Sequence, residues 1–317
     1  MTTSSKTPSS TWLLTPNLIS WISSVLAALG FTLYYVGHTV VLNIADPRLV
    51  SQFQGDKPYQ LRVFMPLLLL VLEKLGLNME QGCQLLTLGS VLVLAGAFRL
   101  YLGEFLPNTV ARFACLAMWP PLILFYSHHW FYLYDIPSLI FLCFGLFLLN
   151  RKKWIPFALV LAVACLNRES SVLLVLAYAA TYWESRSTAF WWRLIGFTLI
   201  WATIKAVLTV IFASNPGSNF ERHWDANWVV LQNPDWWPPL LIASYLLYFA
   251  LFFTALYFWR NLPRLLRVTT FLGTFMLLVF FFVGVLQETR LLGETVPLLL
   301  PPVLIGIWKT RQSAVGI

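Results

Sequence analysis

Residues 154–183 read WIPFALVLAVACLNRESSVLLVLAYAATYW, a long apolar run that Asn167-Arg168-Glu169 interrupts near its middle. A transmembrane helix needs about 20 predominantly apolar residues, so this run is long for one span and short for two. One unbroken helix would hold Arg168 and Glu169 near the middle of the bilayer, where charges without partners are costly. We therefore predict a break at Asn167-Arg168-Glu169, with a short helix on each side that lines a cavity enclosed by protein.

The composition of the whole chain is that of a membrane protein. Of its 317 residues, 59% are hydrophobic and 11% are charged, whereas a soluble domain carries about 25% charged residues. Apolar runs lie near 18–42, 61–77, 83–102, 109–127, 132–149, 154–183, 190–213, 239–259, 268–286 and 291–308. They indicate an all-α polytopic membrane protein, because a membrane β-barrel would show alternating segments of about 10 residues. The net charge of +8 does not indicate nucleic-acid binding, since Lys and Arg are scattered between the apolar runs.

Two basic clusters orient the chain in the membrane. Arg151-Lys152-Lys153 is the densest, and Arg260, Arg264 and Arg267 form the next one. Cytoplasmic loops of membrane proteins carry an excess of Lys and Arg, so both clusters should be cytoplasmic. They share one side only if the run at 154–183 is broken, which supports the predicted break.

The run at 61–77 is short and contains Arg62, Glu73 and Lys74. We predict that it forms a juxtamembrane or re-entrant helix on the outer face, after the first span. About ten transmembrane helices then remain, within a range of nine to eleven, and both termini are cytoplasmic. The predicted parts are a disordered N-terminus at 1–17, a single transmembrane domain at 18–308 and a cytoplasmic tail at 309–317.

This orientation gathers polar side chains on the outer face, at or near the ends of predicted helices. They are Asp46 and Asp56 in the first loop, His128, His129, Tyr132, Tyr134 and Asp135 in YSHHWFYLYD, Asn167, Arg168 and Glu169 at the break, Glu221, Arg222, His223, Asp225 and Asp235 in the loop at 214–237, and Glu288 and Arg290 in the last turn. Charged side chains at helix ends can face a cavity, so the pattern predicts a site that opens outward.

The first loop supplies candidates for the general base. It reads NIADPRLVSQFQGDKPYQLRVFMP at 43–66, and Asp46 is either an ordinary loop or turn aspartate or a general base. Asp56 is either a second candidate base or a turn residue, because it lies in Gly-Asp-Lys-Pro, which is typical of a turn. Arg62 either binds phosphate or extends its side chain so that the guanidinium group reaches the membrane–water interface.

The later polar groups also have two interpretations each. Asp135 is a site carboxylate or a helix cap and ion-pair partner. Arg168 and Glu169 either satisfy each other or bind substrate. His128 and His129 point apart on a helix, so a metal site is not predicted there. The four cysteines lie in or beside apolar runs without paired spacing, so we predict neither a disulfide nor a zinc site.

The order of these motifs resembles that of the GT-C superfamily of integral-membrane glycosyltransferases. The motifs are YQLRVFMP at 59–66, YDIP at 134–137, LNRES at 166–170, and ETR at 288–290 followed by Pro297. The resemblance covers most of residues 18–308. It implies an inverting transfer of a sugar from a polyprenyl-phosphate-linked donor to a glycan, lipid or protein acceptor, on the periplasmic, extracytoplasmic or luminal face.

The chemistry of such a transfer assigns roles to the candidate residues. A carboxylate takes the proton of the acceptor hydroxyl, and Arg side chains bind the departing phosphate. The resemblance implies no cofactor, and a divalent metal is optional. The catalytic candidates are Asp46 and Asp135, and the substrate-binding candidates are Tyr59, Arg62, His129, Arg168, Glu169, Glu288 and Arg290.

The sequence also leaves other functions open. A transporter or lipid flippase would show polar residues in mid-membrane and often internal repeats, and Lys205 is nearly the only isolated charge within a span. A non-catalytic scaffold subunit is a third possibility, and an O-antigen-polymerase-like enzyme a fourth. The chain has no Asn-x-Ser/Thr sequence, which fits a multi-pass protein of a bacterial inner membrane with its site facing outward.

Overall fold

The computed structural model describes residues 16–42, 45–126 and 130–315. The described residues are 78% helical, which confirms the predicted all-α class. The helices are α1 Pro16–His38, α2 Pro47–Ser51, α3 Phe64–Lys74, α4 Met79–Leu102, α5 Asn108–Ala114, α6 Trp119–Phe125, α7 Asp135–Asn150, α8 Trp154–Asn167, α9 Val172–Tyr182, α10 Thr188–Ile211, α11 Trp224–Gln232, α12 Pro239–Tyr257, α13 Arg264–Val283, α14 Arg290–Gly293 and α15 Val296–Val315. Two-residue strands, β1 Val40–Val41 and β2 Trp130–Phe131, pair in parallel.

Six helical segments in the described part of the chain are long and apolar enough to cross a membrane. They are Leu18–His38, Met79–Leu102, Asn108–Phe125, Thr188–Ile211, Pro239–Tyr257 and Arg264–Val283. Helices α7, α8 and α9 are equally apolar but shorter. Many large apolar side chains of these helices stay exposed, which is the arrangement expected where lipid rather than water surrounds the protein.

The run at 154–183 is broken where the sequence predicts. Helix α8 ends at Asn167, Arg168 is extended, and a 3₁₀ turn at Glu169–Ser171 leads into α9. The Trp154 ring, at the start of α8, meets Tyr178 and Tyr182, near the end of α9, at centroid distances of 5.6 and 5.4 Å. Helix α9 therefore runs back beside α8, and the predicted break is confirmed.

Helix α3 follows the first loop and is only 11 residues long. At 1.5 Å per residue it extends about 16 Å, about half the thickness of the hydrocarbon core of a bilayer. It packs beside the start of α4, where Leu69 occupies the space that a side chain at Gly82 would need. Its length does not allow it to span a membrane alone.

The contacts between helix ends fall into two groups at opposite ends of the bundle. The first, which we call the basic end, contains the ion pairs Arg151–Glu104 and Arg264–Glu184 and the hydrogen bond from Lys309 to the carbonyl of Asn261. The second, which we call the site end, contains the start of α7, the α8–α9 turn and α14. Both predicted cytoplasmic clusters contribute to the basic end.

A glycine at the site end gives a first test of the packing. Gly293 in α14 lies against the buried Tyr126 ring, which fills the space of a β-carbon there. We expect Gly293→Ala to lower the melting temperature of the purified protein, because overpacking costs about 1–3 kcal/mol. Gly196 in α10 has no atom within 4 Å of the same position, so Gly196→Ala is the matched control. Equal melting temperatures for the two variants would contradict the packing of α14 on Tyr126.

Candidate functional site

A cavity of about 700 Å³ lies at the site end of the bundle. Its charged lining comes from the first loop, the α8–α9 turn, the loop after α10 and the segment around α14: Arg62, Arg168, Glu169, Glu221, Glu288, Arg290 and Glu294. Its apolar lining comes mainly from one face each of α9 and α13. A cavity with one polar end and one apolar wall fits a ligand that is itself part polar and part apolar.

Asp135 holds two of the arginines at this polar end. It is the first residue of α7 and has no exposed surface. Its carboxylate accepts hydrogen bonds from Arg168 Nη1 at 2.7 Å and from Arg290 Nη1 at 3.2 Å. Asp135 does not line the cavity, whereas both arginines do. The carboxylate thus lies behind the two guanidinium groups and fixes their orientation.

Hydrogen bonds from side chains to backbone carbonyls bring these three residues together. Asn167, the last residue of α8, donates to the carbonyl of Tyr134 at 2.9 Å, so Arg168 is placed beside the start of α7. Thr289 donates to the carbonyl of Phe125 at 2.8 Å, which anchors the turn before Arg290. Polar side chains at helix ends therefore determine where each guanidinium lies.

Glu294 is a fourth member of this cluster. It lies between α14 and α15, has no exposed surface, and places Oε1 2.5 Å from Arg168 Nη1. The resulting row alternates in charge as Arg290, Asp135, Arg168 and Glu294. Sequence reasoning misses Glu294 because it lies inside the apolar run at 291–308. The cost of an unpartnered charge within a span is the signal that could have revealed it.

A second pair of cations surrounds Glu169. Arg62 Nε lies 3.1 Å from one carboxylate oxygen of Glu169, and Lys205 Nζ lies 3.4 Å from the other. Lys205 is therefore paired, which corrects its interpretation as an isolated charge within a span. Among the described residues, the two terminal nitrogens of Arg62 have no hydrogen-bond partner. Arg62 lines the cavity and can offer these donors to an anion.

Tyrosine rings support the guanidinium groups. Arg290 lies 3.6 Å from the centroid of Tyr132 and Arg62 lies 4.5 Å from that of Tyr134. Tyr59 stacks on Tyr132 with centroids 5.8 Å apart. The negative faces of aromatic rings attract guanidinium groups and limit their movement. Arg290 is further held by Glu288, whose Oε2 lies 2.5 Å from Nη2.

The loop after α10 is attached to the first loop at the edge of the cavity. Asn215 donates to the carbonyls of Phe53 and Gly55 at 3.0 and 2.9 Å. Farther along, Tyr59 Oη lies 3.5 Å from Glu221 Oε2 and His223 Nε2 lies 3.4 Å from the same oxygen. Burial and the charge of Glu221 raise the pKa of Tyr59, so its hydroxyl stays protonated and donates to the carboxylate.

The two aspartates of the first loop lie elsewhere. Asp46 caps α2, and its carboxylate accepts a hydrogen bond from the Arg48 amide at 2.8 Å. Neither Asp46 nor Asp56 is among the described residues that line the cavity. The role of Asp46 as a base stays a prediction. His128 and His129 lie outside the described residues.

No group of three or more His, Cys, Asp and Glu side chains within residues 16–42, 45–126 and 130–315 is arranged to hold a metal ion. Comparisons with protein-family models, curated proteins and solved structures gave no match to this chain. The function is therefore inferred from the side chains that line the cavity.

Proposed function

We propose that the protein is a membrane glycosyltransferase of the GT-C type. It transfers a sugar, with inversion, from a polyprenyl-phosphate-linked donor to a glycan, lipid or protein acceptor outside the cytoplasm. The observation that carries this proposal is that Arg62, Arg168 and Arg290 line a cavity that is also lined by the apolar side chains of α9 and α13. A lipid-linked phosphate has the matching division into an anionic head and an apolar chain.

The three arginines are suited to the departing phosphate. The fork of a guanidinium matches the oxygens of a phosphate, and charge-assisted hydrogen bonds are the strong ones. Asp135 and the tyrosine rings fix the guanidinium groups before any ligand binds. Donors that are already oriented stabilise charge that develops in the transition state without further rearrangement. Asp135 acts in this proposal by positioning Arg168 and Arg290.

The apolar wall is suited to the polyprenyl chain. Val172, Leu173 and Leu176 of α9 face the cavity together with Met276 and Phe280 of α13. Leu176 and Phe275 also line the cavity and are 37% and 39% exposed. In this proposal the polyprenyl chain lies along the wall that α9 and α13 form.

The proposal includes a topology of ten spans. These are α1, α4, α5 with α6, α7, α8, α9, α10, α12, α13 and α15, with the basic end in the cytoplasm and the site end outside. Helix α3 would be re-entrant from the outer face. The positive charge of the basic end is what supports this orientation, which we assign to a bacterial inner membrane.

Cysteine labelling of intact cells tests the orientation. Gln54 in the first loop and Ser185 between α9 and α10 are both exposed, and the four native cysteines are buried. We expect Gln54→Cys to react with a membrane-impermeant maleimide from outside. Ser185→Cys, the matched control at the basic end, should react only after permeabilisation. The reverse pattern would overturn the topology.

A transfer assay tests the function itself. The purified protein in lipid nanodiscs is incubated with polyprenyl-phosphate-linked glucose, mannose or galactose and with hydroxyl acceptors, and free polyprenyl phosphate is measured. We expect at least one donor to be consumed and its sugar to appear on an acceptor. Movement of the lipid across the membrane without loss of the sugar would instead favour a flippase. If no donor were either bound or consumed, the proposal would be contradicted.

A further inference from the structure

We infer that Glu221 is the general base that activates the acceptor hydroxyl, and that Tyr59 and His223 position its carboxylate. This inference rests on the proposed glycosyl transfer. It assigns the base to the loop between α10 and α11 rather than to the first loop.

The carboxylates that line the cavity differ in whether a cationic side chain is bound to them. Glu169 is bound by Arg62 and Lys205, and Glu288 by Arg290. Glu294 has no exposed surface and lies against Arg168. A carboxylate bound to a cation is a weak proton acceptor, because the cation stabilises its ionised form.

Glu221 is held more loosely. Among the described residues its partners are the Tyr59 hydroxyl at 3.5 Å and the His223 ring at 3.4 Å, and both approach the same oxygen, Oε2. Neither Arg nor Lys forms an ion pair with it in the described part of the chain. Its side chain is 31% exposed, so Oε1 is free to meet an acceptor that arrives from the outer aqueous phase.

Glu221 and Arg62 contact different parts of Tyr59, which suits an inverting transfer. Inverting transfer needs the base and the leaving group on opposite faces of the anomeric carbon. The Arg62 guanidinium lies over the face of the Tyr59 ring, 5.3 Å from its centroid, whereas Glu221 lies at the hydroxyl edge of that ring. Tyr59 therefore contacts the candidate base through its hydroxyl and Arg62 of the candidate phosphate site through its ring face.

The backbone around Glu221 is anchored on both sides. The amide of His223 donates to the carbonyl of Phe282 at 3.0 Å, which attaches the loop to the end of α13. Lys57 and Gly217 form a bridge to the first loop. These contacts place the Glu221 carboxylate at the outer edge of the cavity.

The acceptor oxygen attacks the anomeric carbon while its proton passes to Glu221 Oε1. The bond between the anomeric carbon and the phosphate oxygen breaks, and its electron pair leaves with the phosphate, whose charge the arginines stabilise. The products are the glycoside, polyprenyl phosphate and a protonated Glu221, which returns its proton to water.

Azide provides a test that separates a base from a structural residue, since azide attacks without losing a proton. The purified protein is given the polyprenyl-phosphate-linked hexoses with either methanol or azide as acceptor. We expect Glu221→Gln to lower methyl glycoside formation by about 10²–10⁴-fold, the usual contribution of a general base. Formation of the glycosyl azide should stay close to the wild-type rate, and Glu221→Asp should retain part of the methanol reaction.

The matched control is Asp225→Asn, an exposed acid on the same segment that does not line the cavity; it should leave both reactions unchanged. Equal losses with methanol and azide in Glu221→Gln would overturn the inference, and so would full methanol transfer in that variant. If Asp46→Asn lost methanol transfer and Glu221→Gln did not, the base would be Asp46 in the first loop. A wild-type protein that forms neither product would overturn the proposed function, and the inference with it.

Discussion

Replacing Asp135 by asparagine is expected to lower the melting temperature of the purified protein more than any other single change at the site. Asp135 is fully buried and is the shared partner of the Arg168 and Arg290 guanidinium groups. Its neutralisation leaves excess positive charge among buried groups. Removal of one partner from a buried ion pair typically costs about 3–5 kcal/mol. Thermal unfolding in detergent, followed by light scattering and tryptophan fluorescence, measures the effect.

The same variant separates two roles of Asp135. Asp225→Asn, in which the carboxylate is exposed, controls for the loss of a negative charge and should melt at the wild-type temperature. If Asp135→Asn kept the wild-type melting temperature but lost sugar transfer, Asp135 would act in the reaction itself, as the sequence predicts. The assignment of Asp135 as a positioning residue for the two arginines would then be wrong.

Replacing Arg290 by lysine is expected to reduce sugar transfer by about 10²–10³-fold, the usual cost of removing a donor that stabilises transition-state charge. Lysine keeps the charge but cannot form two parallel hydrogen bonds to a phosphate. It also loses the planar contact with Tyr132 and the simultaneous bonds to Asp135 and Glu288. Initial rates with a polyprenyl-phosphate-linked hexose measure the loss.

Arg311→Lys is the control for this substitution, because Arg311 is exposed in α15 at the basic end. It should transfer sugar at the wild-type rate. An Arg290→Lys protein that binds polyprenyl phosphate and transfers sugar as well as the wild type would remove Arg290 from the phosphate site.

The helix break is predictable from the sequence because its cause is local. The cost of holding Arg168 and Glu169 inside a bilayer depends only on neighbouring residues and on the length of the run. The same reasoning assigns the basic clusters to one side, and in the structure those clusters contribute to one end of the bundle.

The partners of the buried charges are not predictable in this way. Arg168 meets Asp135 and Glu294 from distant parts of the chain, and nothing local to Arg168 identifies them. Lys205 stands out in the sequence as a charge within a span, yet its partner Glu169 depends on how α10 packs against the α8–α9 turn. Glu294 is hidden in the sequence because the run around it is so strongly apolar.

Asp46 illustrates a second limit of prediction from the sequence. An aspartate that follows a first span fits a catalytic residue, but an aspartate followed by proline is also a typical helix start. The structure places Asp46 at the start of α2, where its side chain caps the helix. The sequence around Asp46 therefore fits both a catalytic residue and a helix cap. Glu221 is better placed than Asp46 to act as a base, because Glu221 lines the cavity and Asp46 does not.

A cryo-electron microscopy structure of the full chain with bound polyprenyl phosphate tests the central claim most directly. We expect phosphate density within hydrogen-bond distance of Arg62, Arg168 and Arg290, and a lipid chain that follows the apolar wall formed by α9 and α13. Phosphate bound away from all three arginines, with the cavity free of lipid, would contradict the proposed phosphate site.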